Sequence, residues 1–312
     1  MRNCLIIDEM HPAIFPLLEE VGIHYQYQPL ITKEEVLETI SQYEGVIVRG
    51  KLRLDNAFFA RASQLRFVAR AGSGKDNIDV EEAERRGIAV LNSPEGNRNA
   101  VAEHAIGLML NLLNRITSAN EEVKKRQWNR ESNRGVELGH QTIGIIGFGH
   151  TGQAVAKCLS GFGCHTLAYD INGIQDPLPF VQVATLEEIQ RESDIITLHI
   201  PLDDRNRNFI DTQFIHQLAK PIWLINTARG EVIETSALIE ALKSGKIKGA
   251  GLDVLENEKI QAFTEKENQW FDALAAMPQV VLTPHVAGWT HESYRKISEV
   301  LGEKICQFYL SK

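Results

Sequence analysis

The chain has 312 residues, a length that allows two domains, each with its own hydrophobic core. Hydrophobic residues make up 43% and charged residues 24% of the sequence, as in an ordinary soluble protein. The formal net charge of −8 disfavours nucleic acid and anionic membranes as partners, because both select basic surfaces.

Cysteine usage and hydropathy indicate the compartment. The 4 cysteines include no CxxC pair and are too sparse for a disulfide scaffold, which favours a reducing environment. No stretch approaches the roughly 20 apolar residues of a membrane span. The first apolar run is short and is followed by Asp8, unlike the core of a signal peptide. A cytoplasmic protein is therefore expected, and no metal is assigned to it.

In the first part of the chain, short apolar runs alternate with helical patterns. Strands are expected at residues 4–8, 24–27, 46–49, 65–69 and 88–91, and helices at 13–21, 33–42, 56–62 and 80–86. Alternation of this kind is typical of parallel βαβ units. The predicted fold class is therefore α/β, beginning with one small doubly wound parallel sheet.

Ligands of such sheets bind beyond the carboxyl ends of the strands, so the residues that follow each strand are candidates for a site. Arg49 follows the third expected strand, and a loop rich in glycine, residues 70–77, follows the fourth. Backbone N–H groups of that loop are able to form an anion-binding nest. The basic residues here favour an anionic substrate, although each one alone is compatible with a solvated loop.

The middle of the chain predicts one long helix. Residues 95–98 are turn-like, and Asn97 is a candidate cap for the helical pattern from Ala100 to about Trp128. The first half of this pattern is apolar almost all round, which indicates a buried helix. We expect it to cross between the domains and to lie in a subunit interface. Residues 126–139 resemble an irregular arm.

A glycine turn, Gly147-x-Gly149-x-x-Gly152, lies between an apolar β-rich run at 142–146 and a helical pattern at 153–159. In a dinucleotide-binding unit the three glycines permit the turn, the approach of a pyrophosphate and helix–strand packing, respectively. The next expected strand ends in Asp170, about 20 residues on, where a ribose-binding carboxylate belongs. Such a carboxylate repels a 2′-phosphate, so NAD is predicted rather than NADP.

The rest of the chain continues the alternation. Strands are expected at 194–201, 222–226 and 280–284, a further strand with its exit loop at 249–258, and helices at 186–192, 212–218, 236–244 and 292–309. Arg229, Glu258 and His285 each lie at or just beyond a strand end. Arginine matches a carboxylate bidentately, histidine exchanges a proton near neutral pH, and a carboxylate orients the histidine. This triple suits hydride transfer at a 2-hydroxy acid, although each residue alone is more often an ordinary loop residue.

At these residues the chain resembles the D-isomer-specific 2-hydroxyacid dehydrogenase family, and most closely its members that act on 3-phosphoglycerate. The resemblance covers nearly the whole chain. The motifs that carry it are residues 70–79, Asn97 with residues 101–104, the glycine turn, residues 226–230, residues 251–254 with Glu258, and residues 283–288.

The resemblance implies a Rossmann NAD-binding domain, residues 98–285, inserted in a flavodoxin-like substrate domain, residues 1–97 and 286–312. It also implies a homodimer joined through the NAD-binding domains. The implied catalytic residues are Arg229, Glu258 and His285. The implied cofactor-binding residues are Gly147, Phe148, Gly149, His150, Thr151, Gly152, Asp170, His199, Ile200, Pro201, Thr227, Ala228, Arg229, Asp253, His285 and Gly288. The implied substrate-binding residues are Arg49, Ala71, Gly72, Ser73, Gly74 and Asn97.

Three departures from the family pattern accompany this resemblance. Lys259 replaces a common proline, and the polar stretch 259–269 is expected to be a loop of different shape. Gly50 replaces a common serine, which weakens the phosphoglycerate assignment. The chain also ends soon after the last helix, so the regulatory domain of some relatives is expected to be absent.

The expected reaction is NAD-dependent interconversion of a D-2-hydroxy acid and a 2-oxo acid, first 3-phosphoglycerate and 3-phosphohydroxypyruvate, as in serine biosynthesis. One alternative is a hydroxypyruvate or glyoxylate reductase, which needs fewer cationic contacts. A second alternative, from another class, is an NAD-sensing binding protein of the corepressor type. Partners are expected to be a small anionic acid and a second copy of the chain, with neither nucleic acid nor membrane.

Overall fold

The structure is a computed structural model that describes residues 2–310. The chain forms two compact units: one contains the residues up to Arg98 and those from Trp289 onward, and the other is Asn99–Gly288. The chain therefore enters the second unit once and returns to the first near its end. Among residues 2–310, no helix is both long enough and apolar enough to cross a membrane.

The first unit contains a sheet of five strands that are all parallel. Its strands are β1 (Arg2–Ile6), β2 (Ile23–Tyr27), β3 (Gly45–Val48), β4 (Phe67–Arg70) and β5 (Ala89–Asn92), in the spatial order β2-β1-β3-β4-β5. This order is that of flavodoxin-like folds, with the switch point between β1 and β3. The predicted doubly wound sheet is confirmed.

Four helices connect these strands: α1 (Ile14–Glu20), α2 (Lys33–Thr39), α3 (Asn56–Arg61) and α4 (Val80–Arg85). Alternate residues of the strands point to opposite faces of the sheet. Leu5 and Val46 belong to one hydrophobic core, whereas Cys4 and Ile47 belong to the core on the other face. The strands are therefore buried on both sides, which explains their continuous apolar runs.

Two helices, α5 (Pro94–Asn114) and α6 (Ile116–Lys124), replace the single helix expected from Ala100 to Trp128. The expectation was wrong because Arg115 adopts a left-handed backbone with φ 53°. The side chain of Asn111 accepts a hydrogen bond from Thr117 N at 2.9 Å and so stabilises the break. Residues 95–98, expected to be a turn, form the first turn of α5, where Pro94 occupies the favourable first position.

The second unit contains a sheet of seven parallel strands. These are β6 (Thr142–Ile146), β7 (His165–Tyr169), β8 (Gln182–Val183), β9 (Ile195–Leu198), β10 (Ile222–Asn226), β11 (Ile247–Leu252) and β12 (Val280–Leu282), in the order β12-β11-β10-β9-β6-β7-β8. Read from β8 to β11, this is the strand order of dinucleotide-binding folds, extended by one strand. The short, exposed β8 was not predicted.

Five helices complete this unit: α7 (His150–Leu159), α8 (Leu186–Glu192), α9 (Thr212–Gln217), α10 (Thr235–Ser244) and α11 (Glu265–Ala275). The polar stretch expected to be a loop therefore contains the beginning of α11. Thr264 and Glu267 form a reciprocal capping box there, a pattern that is visible in the sequence. Two hydrophobic cores, built around Leu198 and Ile145 respectively, cover the sheet.

The last helix, α12 (His291–Leu310), belongs to the first unit. Ile297, Leu301 and Ile305 pack into the same core as β1. Lys304 Nζ donates to the carboxylate of Glu95 at 2.8 Å, which ties α12 to the first turn of α5.

Candidate active site

In the glycine turn after β6, Gly147 and Gly152 are close-packed, whereas Gly149 faces open space. Gly147 has φ +93°, and a Cβ there would lie 2.6 Å from the carbonyl oxygen of His199. A Cβ at Gly152 would overlap with the carbonyl oxygen of Gly147. At Gly149, by contrast, nothing lies within 4 Å of the corresponding position. The second glycine therefore presents backbone to open space, as a pyrophosphate requires.

Asp170 follows β7 and faces the same turn. Its Oδ2 accepts a hydrogen bond from Phe148 N at 2.9 Å, and its Oδ1 accepts one from Asn172 N at 3.0 Å. The helix α7 begins at His150, with Gly149 as an N-cap that contributes no side chain. Because a helix N-terminus without a side-chain cap favours anions, this end of the turn suits phosphates, and Thr151 lies in the first helical turn.

Three buried polar atoms at this edge of the sheet have no hydrogen-bond partner among residues 2–310: Thr227 Oγ1, after β10, His199 Nδ1, after β9, and Glu256 Oε2, in the loop that leaves β11. Burial lowers the pKa of His199 to about 3, so its imidazole is neutral near neutral pH. His199 Nε2 lies 3.0 Å from Thr197 Oγ1, and Ile200 and Pro201 follow in the same loop. The open glycine, the oriented carboxylate and the orphaned atoms together fit a bound dinucleotide.

The loop after β10 is fixed by Asn226, whose side chain is buried. Its Nδ2 donates to Arg229 O at 2.8 Å, and its Oδ1 accepts from Ala228 N at 3.0 Å. A Cβ at Gly230 would overlap with the backbone at Leu255, in the loop that leaves β11. Arg229 is thus presented by a fixed backbone that packs directly against the neighbouring exit loop.

The side chains of His285 and Glu258 are hydrogen-bonded, with 2.9 Å between His285 Nδ1 and Glu258 Oε2. An ionised carboxylate only accepts hydrogen bonds, so Nδ1 carries a proton and Nε2 of the neutral ring is left as an acceptor. The two side chains are 45% and 46% exposed, which leaves both accessible. His285 also has φ 55°, a left-handed backbone that a non-glycine residue adopts rarely.

The carboxylate of Asp253 lies beneath the loop that carries His285. Asp253 is 1% exposed, and its side chain accepts hydrogen bonds from Thr283 Oγ1, Val286 N and Ala287 N at 2.5, 3.0 and 2.8 Å. Its backbone carbonyl accepts from His285 N at 2.8 Å. The structure thus gives Asp253 a definite task in holding residues 283–287, just before Gly288, which the sequence alone did not indicate.

The glycine-rich loop after β4 is tied to the residues that follow β5. Ser73 Oγ donates to Asn97 Oδ1 at 2.5 Å, and Gly72 N donates to Ser93 Oγ at 3.0 Å. Ala71 is buried, Gly72 has φ +137°, and Gly74 continues the loop. The structure therefore brings Gly72, Ser73 and Asn97 together, and it adds Ser93, which the sequence did not single out.

Arg49 lies in the same unit, after β3. Its guanidinium carbon lies 3.6 Å from the centre of the Trp289 ring, a cation–π contact that holds the side chain in place. Its backbone N–H donates to Asp8 Oδ2 at 2.6 Å. Burial lowers the pKa of Arg49, which nevertheless stays cationic. Neither Asp8 nor Trp289 was predicted, although Asp8 ends the first apolar run.

The predicted site residues therefore divide between the two units. The glycine turn, Asp170, His199, residues 227–229, Asp253, Glu258 and His285 all lie in the second unit. Within that unit they follow strands β6, β7, β9, β10, β11 and β12, so they share the carboxyl edge of one sheet. Arg49, residues 71–74 and Asn97 lie in the first unit.

The chain is similar to known dehydrogenases and reductases. It is 35% identical over 308 residues to D-3-phosphoglycerate dehydrogenase of Methanocaldococcus jannaschii, covering 98% of this chain and 57% of that protein. It is 37% identical over 275 residues to hydroxypyruvate reductase of Thermotoga maritima, covering 88% of each. The chain thus spans little more than half of the first relative and most of the second.

Among solved structures, the fold is similar to that of D-lactate dehydrogenase from Aquifex aeolicus in complex with NAD and lactic acid. The TM-score is 0.83 at 26% identity, covering 99% of this chain and 96% of the other. The family model for the NAD-binding domain of D-isomer-specific 2-hydroxyacid dehydrogenases matches residues 106–287. The cofactor is accordingly NAD. The chain belongs to the D-isomer-specific 2-hydroxyacid dehydrogenase family.

Proposed function

We propose that this chain catalyses hydride transfer between NAD and a small anionic D-2-hydroxy acid or 2-oxo acid. The observation that carries the proposal is the contact of 2.9 Å between His285 and Glu258, at the sheet edge that also bears the glycine turn. Family membership supports the reaction class. A non-catalytic NAD-sensing protein would have no need of this proton-transfer pair.

The proposed chemistry assigns one task to each member of the triple. NAD supplies the hydride chemistry when it is bound. Arg229 pairs with the substrate carboxylate through its planar fork. During oxidation of the hydroxy acid, Nε2 of His285 accepts the hydroxyl proton as the hydride leaves C2, and during reduction it returns that proton. Glu258 holds the ring through Nδ1 and stabilises its charged form.

We propose 3-phosphohydroxypyruvate as the first candidate for the oxo acid, with Arg49 as a phosphate ligand. The similarity to D-3-phosphoglycerate dehydrogenases over almost the whole chain supports this choice. The Trp289 contact supports it too, because the ring holds a cationic group in a fixed position. In this proposal Ser73 and Asn97 belong to the loop around the substrate carboxylate.

Hydroxypyruvate is the second candidate substrate. It is favoured by the similarity to the hydroxypyruvate reductase of Thermotoga maritima, which this chain matches over 88% of both lengths. Gly50, where phosphoglycerate-specific relatives commonly have serine, removes one hydroxyl donor from the proposed phosphate site. Both substrates use the same triple. The two candidates therefore differ only in whether catalysis depends on Arg49.

A homodimer joined through the second unit is part of the proposal. The segment that includes α6 and the following arm exposes four large apolar side chains, namely Ile116, Val123, Trp128 and Val136. Trp128 is 78% exposed. Apolar side chains concentrated on one segment of 21 residues are typical of an interaction surface. Sedimentation of the wild type against Trp128→Ser tests this point, and a monomeric wild type would refute it.

Turnover measurements test the substrate. NADH absorbance is followed with 3-phosphohydroxypyruvate, hydroxypyruvate, glyoxylate and 2-oxoglutarate. We expect the highest kcat/KM with the phosphorylated acid, and we expect Arg49→Gln to lower that value while leaving the value for hydroxypyruvate nearly unchanged. A preference for hydroxypyruvate that is insensitive to Arg49→Gln would select the second candidate.

Two variants test the assigned roles. His285→Ala should lower kcat by about 10²–10⁴-fold, the usual contribution of general acid–base catalysis. Arg229→Lys should chiefly impair substrate use, because an ammonium does not reproduce the bidentate fork. His216→Ala is a matched control, since His216 is exposed on α9 and lies outside the site. Near-native turnover by His285→Ala would overturn the proton-transfer assignment.

A further inference from the structure

We infer that His104 and Thr283 are positioning residues for His285, and that they act through the buried carboxylate of Asp253. The inference rests on the proposed function, because it takes His285 as the group that transfers the proton. The side chain of neither residue contacts the triple, and the one main-chain contact is the hydrogen bond of 3.1 Å that Thr283 O accepts from His285 N. His104 lies on α5, and Thr283 follows β12.

A hydrogen-bonded chain connects the three side chains. His104 Nε2 lies 3.0 Å from Thr283 Oγ1, and Thr283 Oγ1 lies 2.5 Å from Asp253 Oδ1. The hydroxyl has a single proton, and the ionised carboxylate needs a donor, so that proton points to Asp253. The Thr283 oxygen must then accept from His104, which fixes the proton of the imidazole on Nε2. The same nitrogen lies 3.5 Å from Asp253 Oδ1.

These hydrogen bonds orient Asp253, which in turn holds the loop that carries His285. Three successive backbone N–H groups, those of His285, Val286 and Ala287, donate to the main-chain or side-chain oxygens of Asp253. The three groups donate to three different oxygens of Asp253, namely the main-chain O, Oδ1 and Oδ2 in that order, and His285 has a left-handed backbone with φ 55°. The orientation of Asp253 therefore determines the backbone geometry from which the His285 side chain projects.

His104, at the far end of these hydrogen bonds from Asp253, lies on a buried helix. His104 belongs to a helix whose neighbouring residues Ala102, Ala105 and Leu108 are buried in the core beside the sheet. Its own side chain is 24% exposed, whereas the Asp253 side chain is fully buried. Asp253 Oδ1 accepts from Thr283 Oγ1 and from Val286 N, and its Oδ2 accepts from Ala287 N. The aspartate is thereby held against rotation, which would release the His285 loop.

Two pairs of near-isosteric variants test the inference. Thr283→Val and His104→Leu remove the donor at each step, whereas Thr283→Ser and His104→Gln retain one. A displacement of a reacting group by about 1 Å costs roughly 10²-fold in rate, so we expect the first two variants to lower kcat by about 10- to 100-fold. We expect substrate KM and the Kd of NADH to stay close to wild type, and the Ser and Gln variants to recover most of kcat.

The kcat of the double variant Thr283→Val/His104→Leu should lie within about twofold of the kcat of the slower single variant. Both changes break the same hydrogen-bonded chain, so their effects should not multiply. The inference is overturned if the Val and Leu variants keep wild-type kcat. It is equally overturned if their losses multiply, or if NADH affinity falls as much as kcat. Should Thr283→Val fail to fold, the His104 pair alone decides.

His285→Ala separates this inference from the proposed function. Turnover that survives His285→Ala refutes the proposed function itself. If the His285→Ala variant is inactive while the Thr283→Val and His104→Leu variants are fully active, only the positioning role of His104 and Thr283 is refuted.

Discussion

Replacement of Gly230 by alanine should damage catalysis and stability together. The added Cβ would overlap with the backbone of Leu255 and Glu256, which belongs to the loop that leads to Glu258. Backbone is unable to yield as the end of a side chain does, so one of the two loops must move. Because Arg229 directly precedes Gly230, a shift of either loop changes the position of Arg229 relative to the loop that leads to Glu258.

Overpacking of this kind typically costs about 1–3 kcal/mol. In a domain of this size each kcal/mol lowers Tm by about 2–4 °C, so we expect a decrease of about 2–12 °C. A movement near 1 Å at the substrate carboxylate costs roughly 10²-fold in kcat/KM. The Kd of NADH should change less than kcat/KM, since residues 227–229 adjoin Gly230 but the glycine turn lies on another strand of the sheet.

Calorimetry, NADH titration and steady-state rates measure the three quantities. Gly161→Ala is the matched control, since a Cβ at Gly161 would meet nothing within 4 Å. The control should retain wild-type Tm and rate. Unchanged Tm and kcat/KM in Gly230→Ala would refute the close approach of the two loops.

Two further predictions concern the cofactor and pH. Asp170→Ala combined with Ile171→Arg should shift the ratio of NAD to NADP efficiency toward NADP, because the carboxylate that repels a 2′-phosphate is replaced by a nearby cation; an unchanged ratio would contradict the role of Asp170. Burial lowers the pKa of His199 from 6.5 to about 3, so below pH 6.5 the unfolded chain binds a proton that the folded chain excludes. The contribution of neutral His199 to the free energy of unfolding is complete above pH 6.5. It is lost as the pH falls, and the loss reaches about 2 kcal/mol near pH 5. Urea midpoints of His199→Gln should therefore depend less on pH between about 7 and 5 than those of the wild type, and parallel curves would disprove the assignment.

The sequence predicted those elements whose apolar pattern is strong. Strands such as β6 and β10 are buried on both faces, and such burial leaves a continuous apolar run that is readable without a structure. The break at Arg115 was not predictable in the same way. It depends on a side-chain contact between Asn111 and Thr117, and no glycine or proline marks it.

At the candidate site, sequence reasoning found the residues that follow strands but not those that support them. His285 and Glu258 were singled out because their chemistry is recognisable at a strand end, and the structure brings them within 2.9 Å. His104 belongs to residues 101–104, which carry part of the family resemblance, but the helical pattern gave it no role of its own. Its partner Thr283 is 179 residues away, and only the folded chain brings the two together.

Asp8, which follows the first strand, determines how the loop at positions 49 to 51 responds to substitution. Asp8 Oδ2 accepts hydrogen bonds from the backbone N–H groups of Arg49, Gly50 and Lys51, at 2.6, 3.2 and 3.4 Å. The donors of that turn are thus satisfied by an internal carboxylate that acts as a permanent counter-anion. A small molecule arriving there meets side chains, not main chain. Substitutions at positions 49 to 51 therefore alter the charge offered to a ligand while the loop keeps its shape.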